Sequence, residues 1–262
     1  MVDTVLLETD GAVATMTLNR PDSMNAINQE LGADLRSAAL EAEMNPEIRC
    51  LVICGAGPAF MAGGDIRAFK ERLETNLDRY MVDLTHDLHD GIMAIRRMPK
   101  PVIASVHGAA AGAGFSLAMA CDMIIATDDA VFTLAYSVLG TSPDGSSTYT
   151  LPRLIGYHRA MELVLLSDRF GPDRAKELGL INFIVPKAEL KAETEKLSKR
   201  VAAGPTLAYG RAKALIGKSL ERGIADQLDA EAQNIMESSR TADFAEGVNA
   251  FLDKRKPVFT GR

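Results

Sequence analysis

The sequence predicts an α/β fold that ends in a helical region. Up to about Val201, short apolar segments rich in β-branched residues alternate with segments of helical periodicity, and this alternation is typical of helices packed on a sheet. Beyond Val201 the pattern is helical, with Gly204-Pro205 as a break and no further strand pattern. We therefore expect residues 1–200 to form an α/β core and residues 201–262 to form a helical C-terminal region.

The first predicted elements are a hairpin and a helix. Residues 5–9 and 13–18 alternate apolar and polar side chains on either side of Asp10-Gly11, and this dipeptide is a hairpin turn signal. A helix is expected from about residue 28 to residue 44, because apolar residues recur there at helical spacing and Pro46 follows as a stop.

Two buried strands and a longer helix are expected next. Residues 49–54 (RCLVIC) and 101–106 (PVIASV) are short apolar runs bounded by turn residues, as buried strands are. Between them, residues 75–98 have the periodicity of a helix that stops before a proline. Each strand leads into a glycine-containing turn, AFMAGGDI at residues 59–66 and Gly112-Ala113-Gly114 after the second strand.

The turn at Gly112-Ala113-Gly114 stands where a helix begins, and this favours negative charge. The first N–H groups of a helix lack partners, the helix dipole points the same way, and small side chains let a ligand approach the backbone. Stabilisation of an oxyanion is one use of such a turn. A dinucleotide site and close packing of a helix on a sheet are two others, and this turn alone does not distinguish among the three roles.

Composition excludes several classes of function. The chain has 262 residues, 47% of them hydrophobic, and can bury a sizeable core. A formal net charge of −6 and the lack of a basic stripe argue against a nucleic-acid partner. The acidic N-terminus does not resemble a signal peptide, and the apolar runs are too short or interrupted to span a bilayer, so we expect a cytoplasmic protein without a membrane partner. The three cysteines form no CxxC pair and are expected to be buried free thiols.

Two motifs taken together resemble the crotonase superfamily of enoyl-CoA hydratases and isomerases. AFMAGGDI at residues 59–66 is similar to the family pattern AFxAGxDI, and residues 100–126, KPVIASVHGAAAGAGFSLAMACDMIIA, are similar to KPxIAxVxGxAxGxGxxLAxxCDxxxA. The resemblance covers nearly the whole chain and is strongest in motif to the enoyl-CoA isomerase and epoxyphenylacetyl-CoA isomerase type. Further matching segments follow in order: Asn19-Arg20-Pro21, Asn25-Ala26-Ile27, Leu139-Gly140, Pro143, and residues 151–156, 179–182 and 246–259.

The resemblance implies a fold, a substrate and an assembly. The fold is the ClpP-like spiral of ββα turns, with C-terminal helices that build a homotrimer or a dimer of trimers. The substrate is an acyl-CoA, and because coenzyme A is part of it, no separate cofactor and no metal are expected. The family's oxyanion hole for the thioester oxygen falls on the backbone N–H groups of Gly64 and Ala113. The implied CoA contacts are Ser23, Met24, Ala26, Ala62, Gly63, Asp65 and Ile66, with Phe251 and Lys254 reaching the CoA of a neighbouring subunit.

The chain departs from the hydratases at their two catalytic glutamates, where it has Ser116 and Tyr136. Neither side chain is a carboxylate base, so we expect that water is not added by the usual route and that both residues line the substrate pocket. Asp144 stands where related isomerases carry a single catalytic acid and where aromatic dehalogenases carry a nucleophilic aspartate. Pro143-Asp144-Gly145 is also a turn signature in its own right, so a structural role competes with the catalytic one.

These features together predict an acyl-CoA isomerase that moves a C=C bond through a thioester enolate, with Asp144 as the proton shuttle. The acyl group is either a linear 3-enoyl chain or a ring-type phenylacetyl derivative. Two alternatives stay open, namely a hydratase with altered active-site residues and a non-catalytic homologue that binds CoA esters. His86 and His89 stand at helical spacing among acidic residues, and we interpret them as a solvated helix face rather than a metal site.

Overall fold

The computed structural model describes residues 3–262 and confirms an α/β fold. Its strands are β1 (Val5–Asp10), β2 (Val13–Leu18), β3 (Cys50–Gly55), β4 (Val102–Val106), β5 (Ala109–Ala111), β6 (Met123–Thr127), β7 (Val131–Thr133) and β8 (Phe183–Val185). Its α-helices are α1 (Gln29–Met44), α2 (Ile66–Lys70), α3 (Leu77–Arg97), α4 (Ala113–Ala120), α5 (Ser147–Ile155), α6 (Tyr157–Leu166), α7 (Pro172–Glu177), α8 (Leu190–Ala202), α9 (Thr206–Lys218), α10 (Ile224–Ser238) and α11 (Ala242–Leu252).

One large sheet organises the core. Its strand order is β1-β2-β3-β4-β6-β8, in which β1 and β2 form the predicted antiparallel hairpin and the remaining neighbours are parallel. Parallel strands need crossover connections, and here helices and the glycine-containing turns supply them. The predicted strands 49–54 and 101–106 are confirmed as β3 and β4, and the predicted helices 28–44 and 75–98 as α1 and α3.

The sheet is covered on both faces, which explains the continuous apolar runs of its central strands. On one face, α1 and α3 pack together with buried side chains that include Leu35 and Leu88. On the other face, Leu190 and Ala202 of α8 pack against Val52 and other apolar residues of the sheet. Because α8 covers the sheet, the predicted boundary after residue 200 lies inside a helix of the core, and the division into two regions stays a prediction.

A second, two-stranded parallel sheet of β5 and β7 stands beside the first and was not expected from the sequence. β5 consists of three alanines between glycines, a composition without a strand signal. Tertiary pairing determines its conformation, since Ala110 also forms a bridge with Met61. This small sheet brings the two glycine-containing turns together.

The C-terminal helices α9, α10 and α11 carry many exposed apolar side chains. None of the residues of α10 is buried. Arg49 connects the C-terminal region to the core. Its guanidinium donates hydrogen bonds to the Thr206 hydroxyl and to the carbonyls of Gly204 and Phe259. In the part of the chain that the structure describes, no helix is long and apolar enough to cross a membrane.

The three cysteines are free, as expected, with Cys50 buried and Cys54 and Cys121 half-buried. Burial is the main cause that raises the pKa of each thiol, and it raises the pKa of Cys50 to about 12. The thiolate is the reactive form of cysteine, so all three thiols are expected to be unreactive in the native protein.

We therefore predict slow labelling of the native protein by a disulfide reagent such as Ellman's reagent at about pH 8. With a pKa of about 12, the thiolate fraction of Cys50 is on the order of 10⁻⁴, against roughly a quarter for an ordinary cysteine. Denatured protein is the control and should release the colour of three thiols quickly. Labelling of the native protein at the rate of the denatured control would show that the thiols are accessible and ordinary.

Candidate active site

The site is built where the two glycine-containing turns touch. Met61 donates its N–H to the carbonyl of Ala109, and Ala111 donates its own to the carbonyl of Met61, so the two segments run side by side. A Cβ added to Gly63 would lie 3.1 Å from the carbonyl oxygen of Ala111, and one added to Gly112 would lie 3.6 Å from the Cα of Gly63. Backbone thus faces backbone here.

This contact determines where the N–H groups of Gly64 and Ala113 point. Ile27 donates to the carbonyl of Gly63 and accepts from the N–H of Asp65, so the N–H of Gly64 points to the opposite side. Ala113 is the first residue of α4, where N–H groups have no intrahelical partner. Neither amide has a hydrogen-bond acceptor among residues 3–262. Two donors next to touching glycines can stabilise an oxyanion, and the start of α4 adds its dipole.

Ser116, Tyr136 and Asp144 lie together beyond these donors. Ser116 is fully buried in α4, and its hydroxyl lies 3.1 Å from the Tyr136 hydroxyl and 3.0 Å from the backbone carbonyl oxygen of Asp144. The Tyr136 hydroxyl donates to Oδ1 of Asp144 at 2.5 Å. Burial, together with the charge of Asp144, raises the pKa of Tyr136, so its phenol stays protonated and acts as a donor.

Asp144 lies in the turn that the sequence also allowed. Gly145 has a φ of +59°, and the N–H and hydroxyl of Ser147 both contact the carbonyl oxygen of Asp144. The backbone of Asp144 therefore has a structural role at the start of α5. Its carboxylate takes no part in the turn, because it accepts its hydrogen bond from Tyr136. The turn does not compete with a chemical role for the side chain.

The residues expected to contact CoA are brought together by the same backbone pairing. The N–H of Ala62 donates to the carbonyl of Met24, next to the hydrogen bond from the N–H of Ile27 to the carbonyl of Gly63. Among these residues Met24 and Ile66 are exposed, Ser23 and Ala62 are half-buried, and Ala26 and Gly63 are buried.

Asp65 has a structural role that the sequence did not reveal. Its carboxylate pairs with Arg20 at 2.9 Å and accepts from the N–H groups of Arg67 and Ala68 at the start of α2. Burial opposes ionisation of Asp65, but the hydrogen bond from Arg20, the two amides and the charge of Arg20 outweigh it and lower the pKa.

Asn25, which stands in a segment that resembles the family pattern, supports the first of the two glycine-containing turns. It is fully buried with a φ of +55°, and its amide nitrogen donates to the carbonyls of Ala56, Ala59 and Phe60. Its side-chain oxygen accepts from the N–H of Arg20. The signal that could have identified it is an asparagine beside a turn, since asparagine tolerates a positive φ and can bond nearby backbone.

Phe251 lies in the last turn of α11 and Lys254 lies two residues beyond its end, and both are exposed. Phe251 lines an apolar groove of about 490 Å³ together with Phe244, Val248 and Phe259.

The interpretation of His89 as part of a solvated helix face was wrong. His86 is exposed, as expected, whereas His89 is half-buried and its Nε2 accepts the N–H of Gly145 at 3.2 Å. Across residues 3–262, no group of three or more His, Cys, Asp or Glu residues could hold a metal ion. His89 faces the Asp144 turn because it follows Leu84 and Leu88 around the buried side of α3.

Comparisons with known proteins agree with this geometry. The sequence model of the enoyl-CoA hydratase/isomerase family matches residues 8–262. The chain belongs to this family. Its crotonase fold is confirmed by an enoyl-CoA hydratase crystal structure from Polaromonas sp. JS666, with a TM-score of 0.93 and 35% identity over 98% of this chain and 99% of that one.

Relatives in the enoyl-CoA hydratase/isomerase family include both isomerases and hydratases. The chain is 37% identical to the 1,2-epoxyphenylacetyl-CoA isomerase of Escherichia coli (strain K12), over 100% of both chains. It is 34% identical to the crotonyl-CoA hydratase of Syntrophomonas wolfei, over 99% of both chains. The chain is thus an enzyme of the acyl-CoA hydratase/isomerase family.

Close approach of the two turns predicts the effect of adding one methyl group to α4. A Cβ at Gly114 would lie 2.2 Å from the carbonyl oxygen of Met61, so Gly114→Ala must push the start of α4 away from the other turn. We expect a loss of about 1–3 kcal/mol in the free energy of unfolding, typical of overpacking, together with a loss of activity. Urea unfolding at fixed protein concentration measures it.

Gly217→Ala is the matched control. Gly217 is also helical, in α9, and a Cβ there would meet nothing within 4 Å. Alanine is the better helix former by about 1 kcal/mol, so this variant should be neutral or more stable. Equal stability of the two variants would contradict the close contact at Gly114.

Proposed function

We propose that this chain is an acyl-CoA isomerase that moves a C=C bond through a thioester enolate. The observation that carries the proposal is the Asp144 carboxylate, held by the Tyr136 phenol beside a turn with free N–H donors. Ser116 and Tyr136 occupy the two positions at which hydratases carry glutamates, and each donates a hydrogen bond to Asp144, Ser116 to its backbone carbonyl and Tyr136 to its carboxylate. A single carboxylate suits proton transfer between two carbons better than addition of water.

The proposed reaction begins when the thioester oxygen accepts hydrogen bonds from the N–H groups of Gly64 and Ala113. Oδ2 of Asp144 removes a proton from C2 of a 3-enoyl thioester, and the electron pair of that C–H bond forms the enolate. The two amides stabilise the negative charge on oxygen, a role in which losing one donor typically costs about 10²–10³ in rate. The dienolate then takes the same proton at C4, which leaves a 2-enoyl thioester and restores Asp144.

Tyr136 has a specific part in this scheme. Its hydroxyl donates to Oδ1 of Asp144, so Oδ2 is the oxygen left to carry the proton. Ser116 supports the arrangement from α4, because its hydroxyl contacts both Tyr136 and the backbone of Asp144. These two residues would also form part of the wall around the acyl group.

The acyl group is proposed to be a linear 3-enoyl chain or a ring-type derivative of phenylacetate. The E. coli relative, named for an epoxyphenylacetyl-CoA, supports the ring-type substrate, and the lone carboxylate suits both. The S. wolfei relative, named crotonyl-CoA hydratase, supports hydration as the second candidate. A non-catalytic CoA-ester-binding homologue is the third possibility, and it would bind acyl-CoA without turning it over.

CoA binding and assembly belong to the same proposal. Ser23, Met24, Ala26, Ala62, Gly63, Asp65 and Ile66 are proposed to line the CoA path on one subunit, with Asp65 acting through its ion pair rather than by direct contact. The C-terminal helices and the turn between α9 and α10 present exposed apolar side chains that a trimer would cover, including Ile216, Leu220, Ile224, Leu228 and Ile235. Phe251 and Lys254 would then reach the CoA of a neighbouring subunit.

The first test of the proposal is Asp144→Asn. Loss of the proton acceptor should lower kcat for a 3-enoyl-CoA by about 10²–10⁴, while the dissociation constant for acyl-CoA changes little. The amide can still accept from Tyr136, so the fold should persist. Asp173→Asn, at an exposed position in α7, is the control and should behave as wild type. Wild-type turnover by Asp144→Asn would end the proposal that Asp144 is the base.

The second test compares two reactions of the same preparation. Because no carboxylate stands at position 116 or 136, hydration of crotonyl-CoA should be negligible beside isomerisation of a 3-enoyl-CoA. Absorbance of the conjugated thioester follows both reactions, since it falls on hydration and rises on isomerisation. Comparable rates would favour the hydratase, and binding without either reaction would favour the non-catalytic homologue.

The third test concerns assembly. Light scattering at micromolar concentration should give three or six times the chain mass of 28.2 kDa. Lys254→Ala should weaken acyl-CoA binding without changing the preference for the acyl group, whereas Lys196→Ala, on exposed α8 surface, should not affect it. A monomer that binds acyl-CoA with full affinity would contradict both the interface and the shared CoA site.

A further inference from the structure

His89 contacts the Asp144 turn at its glycine. Its Nε2 accepts the N–H of Gly145, a glycine with a φ of +59°. A ring nitrogen that accepts a hydrogen bond carries no proton, so the geometry assigns the neutral imidazole with its proton on Nδ1. Glycine at this position allows the sharp turn, but it also gives the backbone more freedom than any other residue would.

The peptide bond between Asp144 and Gly145 is held at both polar ends. Its carbonyl oxygen accepts from the hydroxyls of Ser116, at 3.0 Å, and Ser147, at 2.9 Å. Its N–H donates to His89. One end is thus fixed from α4 and α5 and the other from α3.

Packing reinforces these hydrogen bonds. A Cβ on Gly145 would lie 2.7 Å from Cβ of Ser116 and 3.3 Å from Cδ1 of Ile92. Ile92 stands one helical turn after His89, so both residues lie on the same side of α3. The turn is therefore clamped between α3 and α4, and His89 supplies a polar contact on the α3 side.

From these contacts we infer that His89 is a positioning residue, which fixes the peptide plane between Asp144 and Gly145 and so directs the Asp144 carboxylate towards the substrate. The inference rests on the proposed function, since it gives His89 a part in the reaction only through Asp144. Tyr136 forms a hydrogen bond with the Asp144 carboxylate, whereas His89 forms one with the backbone next to Asp144. Without the imidazole, the N–H of Gly145 loses its acceptor and the turn can rotate.

The test compares His89→Ala, His89→Gln and His86→Ala. A displacement of the carboxylate by about 1 Å is expected to cost on the order of 10–10² in rate, so His89→Ala should lower kcat by that factor with a nearly unchanged KM. The amide oxygen of glutamine can accept from Gly145, so His89→Gln should recover most of the loss. His86→Ala, exposed and one turn away on the same helix, should match wild type. Wild-type kcat in His89→Ala, or equal losses in the alanine and glutamine variants, would overturn the inference.

A double variant separates this inference from the proposed function. If His89 acts through Asp144, adding His89→Ala to Asp144→Asn should cause little further loss, whereas an independent contribution would multiply the two effects. If Asp144→Asn is fully active, the proposed function fails whatever His89 does.

Hydrogen exchange tests the contact without relying on activity. A peptide that spans residues 140–150 should exchange faster in His89→Ala than in wild type or His89→Gln, because only the alanine variant frees the Gly145 N–H. Unchanged protection in His89→Ala would contradict the contact, and this readout applies even if the alanine variant is less stable.

Discussion

The structure depends on the close approach of two backbone segments, residues 61–64 and 109–114. Their contact leaves no room for a side chain at Gly114, since a Cβ there would lie 2.2 Å from the carbonyl oxygen of Met61. Small residues at these positions let β5 pair with Met61, and the pairing presents the N–H groups of Gly64 and Ala113. Supporting contacts converge on the same place, because Asn25 holds one turn by its amide and the buried start of α4 holds the other. Preorganised backbone donors need no rearrangement when charge develops, which is the condition for effective oxyanion stabilisation.

The backbone and the side chains of the site have different roles in the proposed reaction. In the proposed reaction the backbone stabilises the thioester oxygen, so that role requires small residues and close packing rather than particular side chains. Proton transfer, in contrast, depends on the few side chains that face the acyl group. We propose that in this chain they are Ser116, Tyr136 and Asp144, which are linked because Ser116 donates to the backbone carbonyl of Asp144 and Tyr136 donates to its carboxylate. The same family fold can therefore support different reactions, and the identity of these side chains is the basis for proposing isomerisation here.

Local patterns were sufficient for the elements with strong periodicity. The hairpin, β3, β4, α1 and α3 were predicted because alternation, helical spacing and prolines specify them locally. The strand β5 was missed because three alanines carry no strand preference, and tertiary pairing alone makes them a strand. The two glycine motifs located the candidate site, but the sequence could not show that Asp65 is engaged by Arg20 or that His89 accepts from Gly145. Both contacts join residues far apart in the chain, and long-range side-chain partners leave no local pattern.

In the proposed reaction, one carboxylate and two backbone amides together move the C=C bond. A crystal structure with a non-reactive 3-enoyl-CoA analogue tests this mechanism most directly. We expect the thioester oxygen to lie about 2.7–3.1 Å from the N–H nitrogens of both Gly64 and Ala113. We also expect Oδ2 of Asp144 to lie about 3–3.5 Å from C2 and within reach of C4. A thioester oxygen bound away from these amides, or an Asp144 carboxylate that does not face the acyl chain, would contradict it.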